Sequence, residues 1–284
     1  MPAPLDLLFQ GAERVIGAYL LDTEDGPALV DCGPTSCVDA LRSALAEQGL
    51  AVTDVRHLLL SHIHLDHAGA AGVLCREHPG LVVHVAPVGA PHLVDPSRLE
   101  RSARRLYGEA FDDLWGELAP VPAANIRRTD DRVVGLDCFP SPGHASHHVC
   151  YVDGEGALYS GDAAGVRLVP GHHVQPVCPP PDIDVELWER TMDEIERRDP
   201  ERLCLIHYGE VTDTHRHLEE LRERLRVWAG RARSLDEEAW VAAAHDELVR
   251  DEGSLADHYE RAAPLWQCYA GLRRYWSKRD DAAG

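Results

Sequence analysis

No stretch of this chain approaches the roughly 18 consecutive apolar residues that a membrane-spanning helix requires. Nor does Met1 to Gln10 carry the basic start and long apolar run of an export signal. A cytoplasmic protein without a membrane association is therefore expected. The eight cysteines (Cys32, Cys37, Cys75, Cys138, Cys150, Cys178, Cys204 and Cys268) include no Cys-x-x-Cys pair. That absence removes the usual spacing of a zinc ribbon, and nothing suggests a disulfide framework. Several, such as Cys150 and Cys204, sit inside apolar runs, where small buried thiols belong. Positive charge is also scarce: 28 Lys and Arg face 48 Asp and Glu, for a net charge of −20. Such a potential repels phosphate backbones and anionic membrane surfaces, so extended nucleic acid is not an expected partner. No internal repeat or low-complexity tract occurs apart from the polar tail Lys278 to Gly284, which is expected to be disordered.

What is present is room for a full-sized core, with 284 residues, 44% of them apolar and 27% charged. Two apolar runs around Glu24-Asp25-Gly26-Pro27 predict a hairpin between Gly17 and Asp31. Val38, Leu41, Ala44 and Leu45 then fall at helical spacing. Strands are expected at Val55–Leu60, Leu81–Val85, Val133–Phe139, His148–Val152, Ala157–Ser160 and Leu203–Ile206. Helices are expected at Ala68–His78, Pro96–Leu118 and Asp184–Arg198, the last stopped by Pro200. After Gly209 strand signals disappear and helices follow at Thr212–Ala232, Asp236–Arg250 and Ser254–Ser277. Leu218, Leu221, Leu225 and Trp228 form one apolar stripe. Tyr259, Trp266, Tyr269 and Trp276 give the last helix an aromatic face, of the kind that usually serves packing. The expectation is an α/β core domain over residues 1–209 with a helical extension over 210–284.

The chemistry concentrates in Ser61-His62-Ile63-His64-Leu65-Asp66-His67, where a buried strand leaves its sheet and a Gly/Ala-rich helix begins. At alternate positions of an extended segment His62 and His64 point the same way and can grip one ion. The turn that follows redirects Asp66 and His67 toward a second. Downstream, Ser141-Pro142-Gly143-His144, Ser160-Gly161-Asp162 and Ile206-His207 each offer one further donor at an expected strand end. A chance cluster in a chain of 17 histidines would not also distribute ligands in this way.

In order and spacing, this set resembles the metallo-β-lactamase superfamily, and the likeness runs from about residue 15 to 209. The resemblance implies an αββα sandwich. As in glyoxalase II-like and lactonase-like branches, His62, His64 and His144 would hold one metal and Asp66, His67 and His207 a second, with Asp162 bridging. Asp31, in Leu29-Val30-Asp31-Cys32-Gly33, resembles an early family element that braces the site without binding metal. Ser160-Gly161-Asp162-Ala163-Ala164-Gly165, Pro179-Pro180-Pro181 and His207-Tyr208-Gly209 are similar to a bacterial group with C-terminal helices. Two departures matter: no cysteine occupies the second site, and Gly165 replaces a tyrosine of acyl-homoserine lactonases. Imidazole and carboxylate donors suit two divalent ions, zinc first, with iron or manganese also compatible.

Two such cations lower the pKa of a shared water toward neutrality, supplying a bridging hydroxide as nucleophile. Asp162 would bridge, and Asp66 would bind at the second site and orient that hydroxide. The expected function is hydrolysis of a small ester-like substrate, thioester or lactone ahead of β-lactam and phosphodiester. The alternatives are an iron-dependent oxidoreductase of the persulfide dioxygenase kind and a phosphodiesterase of the same fold. His148, Tyr208, Arg167, His172 and His173 are lesser polar candidates near the site. Arg104, Arg105, Arg273 and Arg274 are conceivable anion clamps, though charged helix faces are usually only solvated. A small molecule is the expected partner, and the apolar C-terminal helices would also suit a homodimer.

Overall fold

The computed structural model describes residues 3–283. Their packing divides the chain into two units, one of residues up to Pro140 with Val149–Gly154, the other of Ser141–His148 with residues from Glu155 onward. The boundary expected at 209 falls on the first residue of a strand in the second unit.

In the first unit β1 (Leu5–Asp6), β2 (Gly17–Thr23), β3 (Gly26–Val30), β4 (His57–Leu59), β5 (Val82–Val85) and β6 (Ile126–Arg128) lie in that order in a six-stranded sheet. The hairpin forms as expected, with Thr23 opposite Gly26 across the Glu24-Asp25 turn. From β3 onward neighbours are parallel, which requires crossover connections. The first contains α1 (Val38–Glu47), which buries Val38, Leu41 and Leu45 on one stripe. The second holds α2 (Leu65–Ala68) and α3 (Ala71–Glu77), two short helices in place of one. The third holds α4 (Ala90–Val94), α5 (Ser97–Tyr107) and α6 (Phe111–Trp115). The single helix expected from Pro96 to Leu118 is broken because Gly108 takes a φ of 57° with ψ −130°, a non-helical conformation open chiefly to glycine. Likewise the strand expected across Val133–Phe139 is a hairpin of β7 (Arg132–Val133) and β8 (Leu136–Pro140), turned by Val134 and Gly135 at φ 43° and 90°. β9 (Val149–Val152) runs antiparallel to β8.

In the second unit β10 (Ala157–Gly161) lies parallel to β11 (Arg202–Leu205), which pairs antiparallel with the unexpected β12 (Gly209–Val211). Within this unit β10, β11 and β12 are successive neighbours in a sheet. Between β10 and β11 runs α7 (Val185–Arg198), capped by the Asp184 carboxylate, which accepts the Leu187 N–H at 2.9 Å. Four helices follow: α8 (Thr214–Ser234), α9 (Glu237–Glu252), α10 (Ala256–Ala262) and α11 (Leu265–Ala283). The last expected helix is split at Ala263-Pro264, since proline lacks an N–H and disfavours helical backbone in the residue before it. At its far end Lys278 to Ala283 continue α11 instead of forming a disordered tail; Gly284 lies outside the described residues.

The stripe of Leu218, Leu221, Leu225 and Trp228 is buried. Trp240 meets Trp228 edge-on at 5.0 Å, and its indole N–H donates to the Trp228 carbonyl at 3.0 Å. The expected aromatic face divides: Tyr259 is buried and Trp266 exposed. All eight cysteines are buried and unpaired by disulfides. No helix among the described residues is long and apolar enough to cross a membrane. The whole is a mixed α/β fold with two mixed sheets and several C-terminal helices.

Candidate metal centre

The first unit contributes its donors where β4 leaves the sheet. Beside that exit Asp31 follows β3 with φ 58°, a left-handed conformation uncommon outside glycine and characteristic of sites held by their surroundings. Its carboxylate accepts the Ser61 N–H and the Ser61 hydroxyl, both at 2.7 Å, and the His67 Nδ1–H at 2.8 Å. With its proton committed to Asp31, the Ser61 oxygen accepts His62 Nδ1–H at 3.1 Å. Both imidazoles are thereby fixed in the tautomer whose Nε2 carries the lone pair, the form a metal ligand needs.

His62 Nε2 and His64 Nδ1 are 2.9 Å apart, on rings inclined by 81°. Two nitrogens bound to one tetrahedral zinc would be roughly 3.3 Å apart, given bonds of about 2.0–2.1 Å. In the first turn of α2, Asp66 comes 3.6 Å from His67 Nε2. His62 and His67 are buried, whereas His64 and Asp66 stay partly open.

The second unit presents the remaining three donors. Gly143, at φ 130°, lies so close to α7 that a Cβ would stand 2.3 Å from Trp188 Cα. Only glycine lets the loop lie there and bring forward His144, whose ring meets Trp188 edge-on at 5.6 Å. His144 Nδ1–H donates to the Val177 carbonyl at 2.7 Å, again leaving Nε2 as the lone-pair nitrogen. Asp162 follows β10, and its two oxygens face different histidines: Oδ2 is 3.3 Å from His144 Nε2 and Oδ1 is 3.5 Å from His207 Nε2. These separations exceed the ordinary N–H···O range of 2.7–3.2 Å and suit donors that share cations. His148 supports this arrangement from behind. Its Nε2 accepts the Asp162 backbone N–H at 3.1 Å, and its Nδ1–H donates to Ser141 Oγ at 2.7 Å.

In each unit, then, His and Asp side chains are positioned for a metal site, and neutral imidazoles with carboxylates fit divalent ions. The lesser candidates have other attachments. Arg167 binds Asp213 at 2.8 Å and the Gly171 carbonyl at 2.9 Å. The buried His173 ring donates to Asp251 at 2.8 Å, while His172 is exposed and gives its backbone N–H to Glu252. Tyr208 donates its backbone N–H to the Arg167 carbonyl at 3.2 Å. Arg104 pairs with Glu100 and Asp112, and Arg273 donates to the Ala232 carbonyl. Sequence reasoning missed Ser61, whose signal was its place beside His62, and the Val177 carbonyl, which as backbone carries no signal. Gly165 explains its own departure from the lactonases: at φ 69° a Cβ would sit 2.5 Å from the Gln175 carbonyl oxygen.

Comparison with known proteins bears on the family and the fold. The chain is 26% identical over 164 residues to an atrochrysone carboxyl ACP thioesterase of Emericella nidulans, covering 57% of this chain and 44% of that one. It is 30% identical over 147 residues to lactamase-like protein adaB of Aspergillus niger, covering 51% and 37%. The chain thus spans under half the length of these relatives. Among solved structures, a metallo-β-lactamase family protein from Thermus thermophilus superposes with a TM-score of 0.68 at 22% identity, over 99% of this chain and 93% of that one. An archaeal superfamily protein from Sulfolobus tokodaii gives 0.67 at 18%, over 96% and 97%. TTHA1623, solved in a di-iron-bound form, gives 0.56 at 24%, over 78% and 96%. These likenesses show the fold. With the metallo-β-lactamase superfamily model matching residues 13–207, the chain belongs to that superfamily.

Proposed function

We propose that the two sets of donors combine into a dinuclear centre that hydrolyses a small thioester or lactone. In this reading His62, His64 and His144 hold one ion, Asp66, His67 and His207 the other, and Asp162 is shared. The observation that carries it is the Asp162 carboxylate, with one oxygen toward His144 and the other toward His207. A carboxylate so disposed can serve two cations at once. Thioesters come first because a relative is named for that activity.

Bound divalent ions would supply Lewis acidity and a water acidic enough to attack near neutral pH. The protein's share is to hold and orient. Asp31 and Ser61 fix the tautomers of His62 and His67, and His148 fixes the backbone at Asp162. Asp66, partly open beside His67, would bind the second ion and orient the attacking water. Zinc suits these donors, and iron, found in TTHA1623, suits them as well.

The test is elemental analysis of untagged protein, followed on the same sample by turnover of a panel of thioesters, lactones and phosphodiesters. Near two metals per chain with thioester or lactone turnover is the expected result. A single iron without hydrolysis would overturn the reading in favour of oxidative chemistry.

A further inference from the structure

Residues 165–178, which follow Asp162 in the second unit, fold back on themselves through a bridge between Val166 and Gln175. This strap touches every donor of its unit. The Gly165 N–H donates to the Asp162 carbonyl at 3.0 Å, and the Arg167 N–H donates to the His207 carbonyl at 2.8 Å. At the other end the Val177 carbonyl accepts His144 Nδ1–H at 2.7 Å.

The strap is in turn fastened by the C-terminal helices. The buried Tyr259 hydroxyl, on α10, accepts the Leu168 N–H at 3.1 Å and donates to the His173 carbonyl at 2.7 Å. One group thus bridges both arms of the fold-back. Gln175 Nε2 donates to the Ala263 carbonyl at 2.7 Å. The Cys268 thiol, on α11, donates to the Pro176 carbonyl, next to Val177, at 3.5 Å.

We infer that Tyr259 is a positioning residue of the metal centre, acting through the strap on His144 and His207 although it lies beyond residues 13–207, the family-matched segment. The inference rests on the proposed metal site. Removing the Tyr259 hydroxyl leaves the Leu168 N–H and the His173 carbonyl without that partner inside the protein, so the two arms lose their common tie. The strap's hold on His144 loosens, and ligand orientation with it.

The test compares zinc affinity of the full-length Tyr259→Phe protein with wild type by chelator competition, and the cobalt-substituted absorption spectrum of both. Trp276→Phe serves as control, since it removes a different tie in the same unit, the indole N–H to the Ala229 carbonyl at 2.7 Å. Loss of outer partners of metal ligands typically weakens metal binding roughly 10–100-fold. That loss in Tyr259→Phe, with a shifted cobalt spectrum and near wild-type affinity in Trp276→Phe, is the expected result. Wild-type affinity in Tyr259→Phe, or equal weakening in both variants, would overturn the inference. If the wild-type chain takes up neither zinc nor iron, the metal reading itself fails. The NMR resonance of His144 Nδ1–H in the metal-free protein then decides separately: unmoved by Tyr259→Phe, it would reject the strap coupling, and displaced, it would support it.

Discussion

Asp162 shows how much one side chain is asked to do. Its carboxylate faces His144 and His207, while its backbone N–H is held by His148. Asp162→Asn keeps the shape but replaces one oxygen by an amide nitrogen whose hydrogens repel a cation. Metal content should fall from near two toward one per chain, and turnover should drop by more than the roughly 10–100-fold typical of outer partners. Metal-verified Asp162→Asn protein with wild-type turnover would reject the shared-ligand role. The candidate donors could be named because His62-x-His64-x-Asp66-His67 and three later strand ends form a pattern in the chain. What orients them was only partly so. Asp31 was readable as a brace from its motif, but the Val177 carbonyl lies 33 residues from His144 and, being backbone, looks like every other carbonyl in the sequence.

Among the elements, hydrophobic spacing identified most strands and helices, and breaks were what it missed. Periodicity passes straight through Gly108, Gly135 and Pro264, because it measures burial and not backbone conformation. Where the pattern was a single continuous stripe, as in α8, it survived into the structure. Leu221, Leu225 and Trp228 are fully buried there, and Trp228 is joined to α9 through Trp240. Trp228→Ala should therefore cost about 3–5 kcal/mol, the usual range for a large buried aromatic, as measured by urea unfolding. A loss below about 1 kcal/mol would show that α8 does not share the cooperative core. The tie from Tyr259 to Leu168, 91 residues away, was invisible for another reason. Helical spacing marks an aromatic face as packing surface and says nothing about where its hydroxyl reaches.

At the scale of the whole molecule, buried and half-buried neutral histidines set an acid limit. Burial, aided by Arg224 and opposed by Asp251 and Glu252, lowers the His173 pKa from 6.5 to about 4. Burial, aided by Arg167 and opposed by the Ala164 carbonyl, Asp213 and Glu220, does the same for His217. Burial with His57 and Arg127 lowers His84 to about 4. Between about pH 4 and 6.5 the unfolded chain binds protons at these positions that the folded chain does not. Stability should be fullest above pH 6.5 and decline as the pH falls toward 4. Urea unfolding from about pH 7.5 to about pH 4.5 checks this, and a midpoint flat over that range would contradict it. The eight buried thiols, spread from Cys32 to Cys268, carry a different consequence. Shielded thiols react only when the surrounding structure opens. Mass-resolved labelling by a thiol reagent would therefore time the opening of each region separately, making the native chain a clock of its own partial unfolding.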